Sequence, residues 1–410
     1  MKSNFTDSCI TIASLIHKAS LRSIVFFVLL SSSALATSPS AVEIVSSPKT
    51  EDDEVTVRIS VTDDQNRPVV DLLDTDFQLI VDVSDLHFVS RFWRRPQDVV
   101  PPPAGVIVLL DMSGSMNQPD SRGTTKLQGA LESITQFKTS IYERLDTVSE
   151  ANIPQIAIVP FGEPGENCEG FPVTQDELDK FFPADAVLLD NHLDFLAKQA
   201  PCAATNLYEP LSKAIRFLGN TQDPRFSHSE ESQEPKPRLS VILLSDGYHT
   251  EGKEAEDFEN LKLLIRQNPE ITIHTLGYGL TPEELGDKYG LRRPATRNDI
   301  GSEISADEFV DQARLAEISQ LAGGISEFSA DAATVAEKLQ VFLNALLGEY
   351  EISYIQPNAD RNSSHTVKVL INAEKGVIQS YLQKYRLTGF GRILERDVRF
   401  KIFACTLLVM

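Results

Sequence analysis

The chain of 410 residues is long enough for two or three domains, each with a core of its own. A formal net charge of -21 excludes broad recognition of nucleic acid or anionic lipid, since both need a positive field. With 41% hydrophobic and 24% charged residues the chain reads as a soluble globular protein, so most of its acidic side chains belong to a solvated surface.

Residues 1–36 carry the three parts of an export signal. Lys2, Lys18 and Arg22 precede the apolar run Ile24–Leu30, and small residues follow, ending Ala34-Leu35-Ala36. Cleavage after Ala36 would leave Thr37 first, and the apolar run is too short for the ~20 residues of a bilayer span. The expected location is outside the cytoplasm, in the periplasm or secreted to the cell envelope. Cys9 would leave with the signal and Cys405 sits near the end, which leaves Cys168 and Cys202 in the body. In an oxidising compartment these two are expected to pair; two buried free thiols are the other reading.

Residues 41–100 read as β-structure. Val55, Val57, Ile59 and Val61 alternate with polar residues, and so do Phe77, Leu79 and Val81, then Leu86, Phe88 and Phe92. Pro101-Pro102-Pro103 is a stiff linker. From Gly105 the period changes. Val106–Leu110, Ile156–Phe161, Leu239–Leu244 and Ile271–Leu276 are continuous apolar runs, the mark of strands buried on both faces. Between and after them lie helical stripes at Lys126–Leu145, Glu209–Leu218, Phe258–Ile265, Leu315–Leu321 and Val335–Leu346, with Gly323-Gly324 stopping the fourth. Ile325–Phe328 fits a short edge strand. Strands alternating with helices predict an α/β domain over 105–347, a mostly parallel sheet covered on both faces. Two long polar segments, 220–238 and 281–308, interrupt it; loops of that length are usually functional or disordered. Residues 350–390 return to strands at Tyr350–Ile355, Thr366–Ile371 and Val377–Leu387. The tail, 391–410, ends in the apolar Phe400–Met410, too short to span a membrane.

Open parallel sheets place ligands beyond the carboxyl ends of their strands. Asp111-Met112-Ser113-Gly114-Ser115 and Ser245-Asp246-Gly247 follow two of the apolar strands directly, and Thr205-Asn206-Leu207-Tyr208 precedes a helix. Asp111, Ser113, Ser115, Thr205 and Asp246 together make a hard, oxygen-only donor set. That set suits Mg²⁺, or Mn²⁺ or Ca²⁺, and not zinc or copper. Two carboxylates leave a dication electrophilic and able to accept an outside carboxylate.

The three pieces Val108-Leu109-Leu110-Asp111-Met112-Ser113-Gly114-Ser115-Met116, Thr205-Asn206-Leu207-Tyr208 and Leu243-Leu244-Ser245-Asp246-Gly247 resemble the metal-ion-dependent adhesion site of von Willebrand factor type A domains. His274–Gly279 and Leu321–Gly324 resemble that family's late strand and late helix end. The resemblance covers about Gly105 to Leu347. It implies a Rossmann-like sheet with the chain entering and leaving opposite the metal. The strands of 41–100 and 350–390 would then meet in one small β-sandwich. It also implies a non-enzymatic protein that captures a protein partner through that partner's Asp or Glu.

Other chemistry has less to stand on. Ser113 and Ser115 lack a G-x-S-x-G context, and His249, read as an exposed loop residue, is the only nearby base. Glu209 is the best spare carboxylate for metal-assisted hydrolysis, but its place in a first helical turn is explained by the helix dipole. A structural envelope protein, in which metal only staples three loops, is the other alternative. Asp111 and Asp246 are expected at a solvent-facing strand end, so alanine at either should leave folding largely intact.

Overall fold

A computed structural model describes residues 38–82, 84–85, 92–145, 153–165, 168–227, 236–250, 253–356, 362–373 and 376–387. The expected export signal at 1–36, with Cys9 in it, Leu86, Phe88, the middle of the 220–238 segment, Cys405 and the tail lie outside these residues.

In chain order, the first strands are β1 (Ala41–Ile44), β2 (Lys49–Glu51), β3 (Glu54–Thr62), β4 (Phe77–Val81), β5 (Ser84–Asp85) and β6 (Phe92–Arg94). The central part runs β7 (Ala104–Asp111), α1 (Lys126–Leu145), β8 (Gln155–Phe161), α2 (Gln175–Leu178), β9 (Phe182–Pro183), α3 (Val187–Leu196), α4 (Tyr208–Leu218), β10 (Arg238–Ser245) and α5 (Glu254–Gln267). It continues through β11 (Ile271–Tyr278), α6 (Pro282–Tyr289), α7 (Gln312–Leu321), β12 (Ser326–Ser329) and α8 (Ala332–Leu347). The last strands are β13 (Tyr350–Ile355), β14 (Ser364–Ala373), β15 (Gly376–Gln379) and β16 (Gln383–Arg386).

The central sheet has the order β12-β11-β10-β7-β8-β9. Its pairs are parallel except for the short β9, which runs antiparallel to β8. Every residue of β7 is buried, as a strand covered on both faces must be. Its side chains alternate between two cores. Val106, Val108 and Leu110 pack with α1, α3 and α8, while Ile107 and Leu109 pack with α4, α5 and α7. The chain is therefore mixed α/β, with a mostly parallel sheet between helices.

Helix α7 stops at Gly323, whose φ of 67° is the left-handed conformation that glycine adopts without strain. The next glycine is needed for space. A Cβ on Gly324 would drive into the Ile273 carbonyl of β11. Gly324→Ala is therefore expected to destabilise the protein by about 1–3 kcal/mol, the usual cost of overpacking, and thermal melting will read it.

Strands from both ends of the sequence build two antiparallel sheets. One has the order β1-β3-β13-β6, with β2 on β3; the other runs β15-β14-β4-β5, with β16 on β14. The buried faces of both share one core, from Val42 and Val55 through Tyr350 to Leu387. Expected as one strand, Val377–Leu387 is two, β15 and β16, each paired with β14. Arg58 and Arg238 both reach the buried Glu349, so this unit meets the amino end of β10. The carboxyl ends of the parallel strands face the other way.

The two ends of the chain are also clasped by Asp82, just after β4. It accepts hydrogen bonds from His365 Nδ1 at 2.6 Å and from Thr366 N at 2.9 Å, both on β14. Partial burial opposes ionisation, but these bonds outweigh it and hold the carboxyl below its ordinary value. A lowered folded pKa contributes stability above the unfolded pKa, and that stability is lost as pH falls through the folded value. The side chain is 42% exposed, so solvent screens the effect to under about 1 kcal/mol. Wild type should be more stable than Asp82→Asn at pH 6, and the gap should close below pH ~4. Urea melts at the two pH values test this; a gap that widens in acid contradicts it.

Candidate metal centre

The strand order reverses at β7, with β8 on one side and β10 on the other. A crevice opens at such a reversal, beyond the carboxyl ends. Asp111 ends β7, and Asp246 directly follows the end of the neighbouring β10. The chain turns at once after β7 because Ser113 N donates to Asp111 Oδ1 at 2.8 Å and Met112 N to the Phe161 carbonyl at 2.9 Å. A short 3-10 turn, Gly114–Asn117, then carries Ser115 inward.

These residues meet. Ser113 Oγ and Ser115 Oγ lie 3.0 Å apart and donate to Asp246 Oδ1 at 3.3 and 2.8 Å. Ser245 Oγ donates to Asp111 Oδ2 at 2.5 Å. Thr205 is set against Gly247, where a Cβ would stand 3.0 Å from Thr205 Oγ1. The residue after Asp246 must be small for Thr205 to sit there.

The Thr205 loop is held from both sides. Cys202 N and Ala203 N both donate to the Met112 carbonyl, and Gly114 N to that of Ala203. On its other edge Ala204 exchanges backbone hydrogen bonds with Glu163. Cys168 and Cys202 are joined by a disulfide, with Cα atoms 5.7 Å apart, beside this seam. Asn206 Oδ1 accepts from Tyr208 N and Glu209 N, so Asn206, rather than Thr205, satisfies the start of α4.

Two sequence expectations are corrected here. Asp111 and Asp246 are not solvent-facing; both have no exposed surface, because the following loops fold back over the strand ends. His249 is not an exposed loop residue; it is 3% exposed and stacks on Tyr208 at 4.1 Å. Its Nδ1 accepts from Leu207 N. Glu209 is paired with Lys213 on its own helix.

Sequence reasoning missed Lys126. This first residue of α1 is 7% exposed and donates from Nζ to Asp246 Oδ2 at 2.6 Å. A signal was available, since a cation in the first turn of a helix opposes the helix dipole and needs another partner.

The 281–308 segment is folded rather than loose. Thr281 and Glu284 form a capping box on α6, with Pro282 at its first position. Leu285, Ala295, Ile304 and Phe309 bury a small core against Tyr248, two residues beyond Asp246. Arg297 ties the segment to Asp311 and Glu254.

No protein-family model matches the sequence, and no curated protein does. Among solved structures, the crystal structure of the TFIIH p34 N-terminal domain is similar at 13% identity. The match covers 58% of this chain and 96% of that one, with a TM-score of 0.35. A likeness of that size bears on neither activity nor partner.

The electrostatics of the strand ends favour a cation. Burial first, then the charge of Asp246, pushes the Asp111 carboxyl above its ordinary value, against hydrogen bonds from Ser245 and Ser113. Burial raises Asp246 as well, and Lys126 and the two serines offset part of that. Two carboxyls are thus desolvated side by side among hydroxyl oxygens, one of them paired with Lys126. Among the described residues no three His, Cys, Asp or Glu side chains gather as a metal nest. The donors fit a hard ion that accepts neutral oxygens and keeps water, and they do not fit zinc.

Proposed function

We propose that this chain is an exported, non-enzymatic binding protein whose central domain is of the von Willebrand factor A type. Asp111, Ser113, Ser115, Thr205 and Asp246 would hold Mg²⁺, or Mn²⁺ or Ca²⁺ in its place. The bound ion supplies an electrophilic position for an Asp or Glu carboxylate of a protein partner. The observation that carries this reading is the contact of Ser113 and Ser115 with Asp246, beside the buried Asp111, at the sheet's reversal point.

Neighbouring features support capture over the alternatives. Protein–protein hydrogen bonds already join the Ser113, Ala203 and Asp246 segments, so a metal is not required to staple them. Hydrolysis would need a base at the metal position; Glu209 pairs with Lys213, and His249 is buried against Tyr208 with its Nδ1 accepting from Leu207 N. Gly114, Asn117 and Thr250 are exposed around the buried donors and offer a rim for a partner surface. Among the described residues no helix is long and apolar enough to cross a membrane.

The test is capture of envelope proteins by the immobilised protein, with about 1 mM Mg²⁺ or with chelator, the upper end of the range of weak extracellular divalent-ion sites. Metal-dependent capture, blocked by a short peptide carrying Asp but not by its Asn analogue, is expected. Capture indifferent to chelator places the binding surface elsewhere.

A further inference from the structure

We infer that Lys126 is a built-in counter-charge that keeps metal binding weak on its own and makes it depend on an incoming carboxylate. The inference rests on the metal reading above and concerns how that site is regulated.

Asp246 divides its two oxygens. Oδ1 takes the hydroxyls of Ser113 and Ser115, while Oδ2 takes the Lys126 ammonium at 2.6 Å. The lysine is fixed in place. It opens α1, its backbone N–H donates to the Gln118 carbonyl, and its side chain is 8% exposed. Gln118 lies in the loop that follows Ser115, so the ammonium and the serine donors belong to one short stretch. Asp246 has no exposed surface, and solvent screens this ion pair little.

The charge count follows. Asp111 and Asp246 alone would bring two negative charges to a dication and neutralise it. With Lys126 on Asp246 the three side chains sum to one negative charge. A dication added to them leaves one positive charge unbalanced in a buried place, which is costly. A single carboxylate from outside cancels it. An amide or hydroxyl ligand does not. The lysine therefore sets the partner's chemistry as anionic. It also links the two events, because each of metal and carboxylate raises the affinity of the other by the same factor.

The same pair explains how the loops stay ordered around two buried acids. Lys126 satisfies Asp246, and Ser245 satisfies Asp111. The site is pre-formed by a cation the chain supplies itself.

The experiment is calorimetric titration of the full mature chain with Mn²⁺ alone and with Mn²⁺ plus acetate. Lys126→Met removes the charge and keeps most of the length of the side chain. Mn²⁺ alone should bind Lys126→Met about tenfold tighter or more, as removal of a like charge at contact range predicts. Acetate should tighten Mn²⁺ on wild type and lose that effect on Lys126→Met. Lys126→Arg, which keeps the charge, should behave as wild type. Lys126→Gln keeps a donor to Asp246 without the charge and gives the same reading where methionine disturbs folding. Wild-type binding with unchanged or weaker affinity in both neutral variants overturns the role of Lys126 alone. Absence of Mn²⁺ binding from wild type and variants alike overturns the metal reading, and this inference with it.

Discussion

Asp246→Asn is expected to lose Mg²⁺ binding by at least the roughly 10–100-fold that even an outer-shell change costs at a metal site. The substitution keeps size and removes half of the carboxylate charge. Asp111→Asn should do the same. The oxygen donors left are neutral hydroxyls, an amide carbonyl and one acid, and a strongly hydrated ion then stays in water. Ser113→Ala and Thr205→Ala should each weaken binding less, since water can replace a neutral ligand. Alanine at Asp246 is a different experiment. It strands the Lys126 ammonium, which is nearly buried, and breaking such a pair costs about 3–5 kcal/mol. Asp246→Ala should therefore unfold readily, and Lys126→Met in the same chain should recover much of the loss. Titration calorimetry with denaturant melts separates the two effects. An Asp246→Asn protein that binds Mg²⁺ like wild type would contradict the assignment of this ligand.

Removing the disulfide is the second change of large effect. Cys168 and Cys202 close a loop with a sequence separation of 34, and closures of this kind typically contribute ~2–4 kcal/mol. Cys202 immediately precedes the residues that pair with Met112, Gly114 and Glu163. The Cys168→Ala, Cys202→Ala double variant should lose stability of that order in urea. Its metal affinity should fall as well, because Thr205 is positioned through the same seam. The helices and central strands should persist, since their cores do not include Cys202. Equal stability of the double variant and wild type refutes this account of the bond.

The elements legible in the sequence were those with one strong physical requirement. The strand with Asp111 reads directly because a strand buried on both faces admits little but apolar residues, and β7 is such a strand. Helix α1 reads because its apolar stripe, from Leu127 to Ile141, runs unbroken along one core, and Gly323 marks the end of α7 by its left-handed φ of 67°. The less legible parts are held by long-range pairing. Helix α3 exposes Val187 and Leu188 in its first turn, so no clean stripe announces it. Strand β2 has only three residues and no buried face. Segment 281–308 looks like a loop because its Gly and Pro are frequent, yet Pro282 and Gly290 are there to start and stop α6. At the site, residue types and order marked which side chains gather. Their burial was not marked, because it comes from the Ala203 and Gly247 segments folding over the strand ends. The partner of Lys126 was hidden for the same reason, since 120 positions of sequence separate it from Asp246.

The central claim is that three loops at adjacent strand ends hold one hard divalent ion through oxygen atoms of this chain. Diffraction from Mn²⁺-soaked crystals, recorded at a wavelength where manganese scatters anomalously, tests it most directly. A single strong anomalous peak is expected within about 2.0–2.3 Å of the Ser113 and Ser115 hydroxyls, bordered by Asp111, Thr205 and Asp246, with water completing the shell. No peak at these strand ends, at Mn²⁺ concentrations that other hard-ion sites readily fill, would contradict the account.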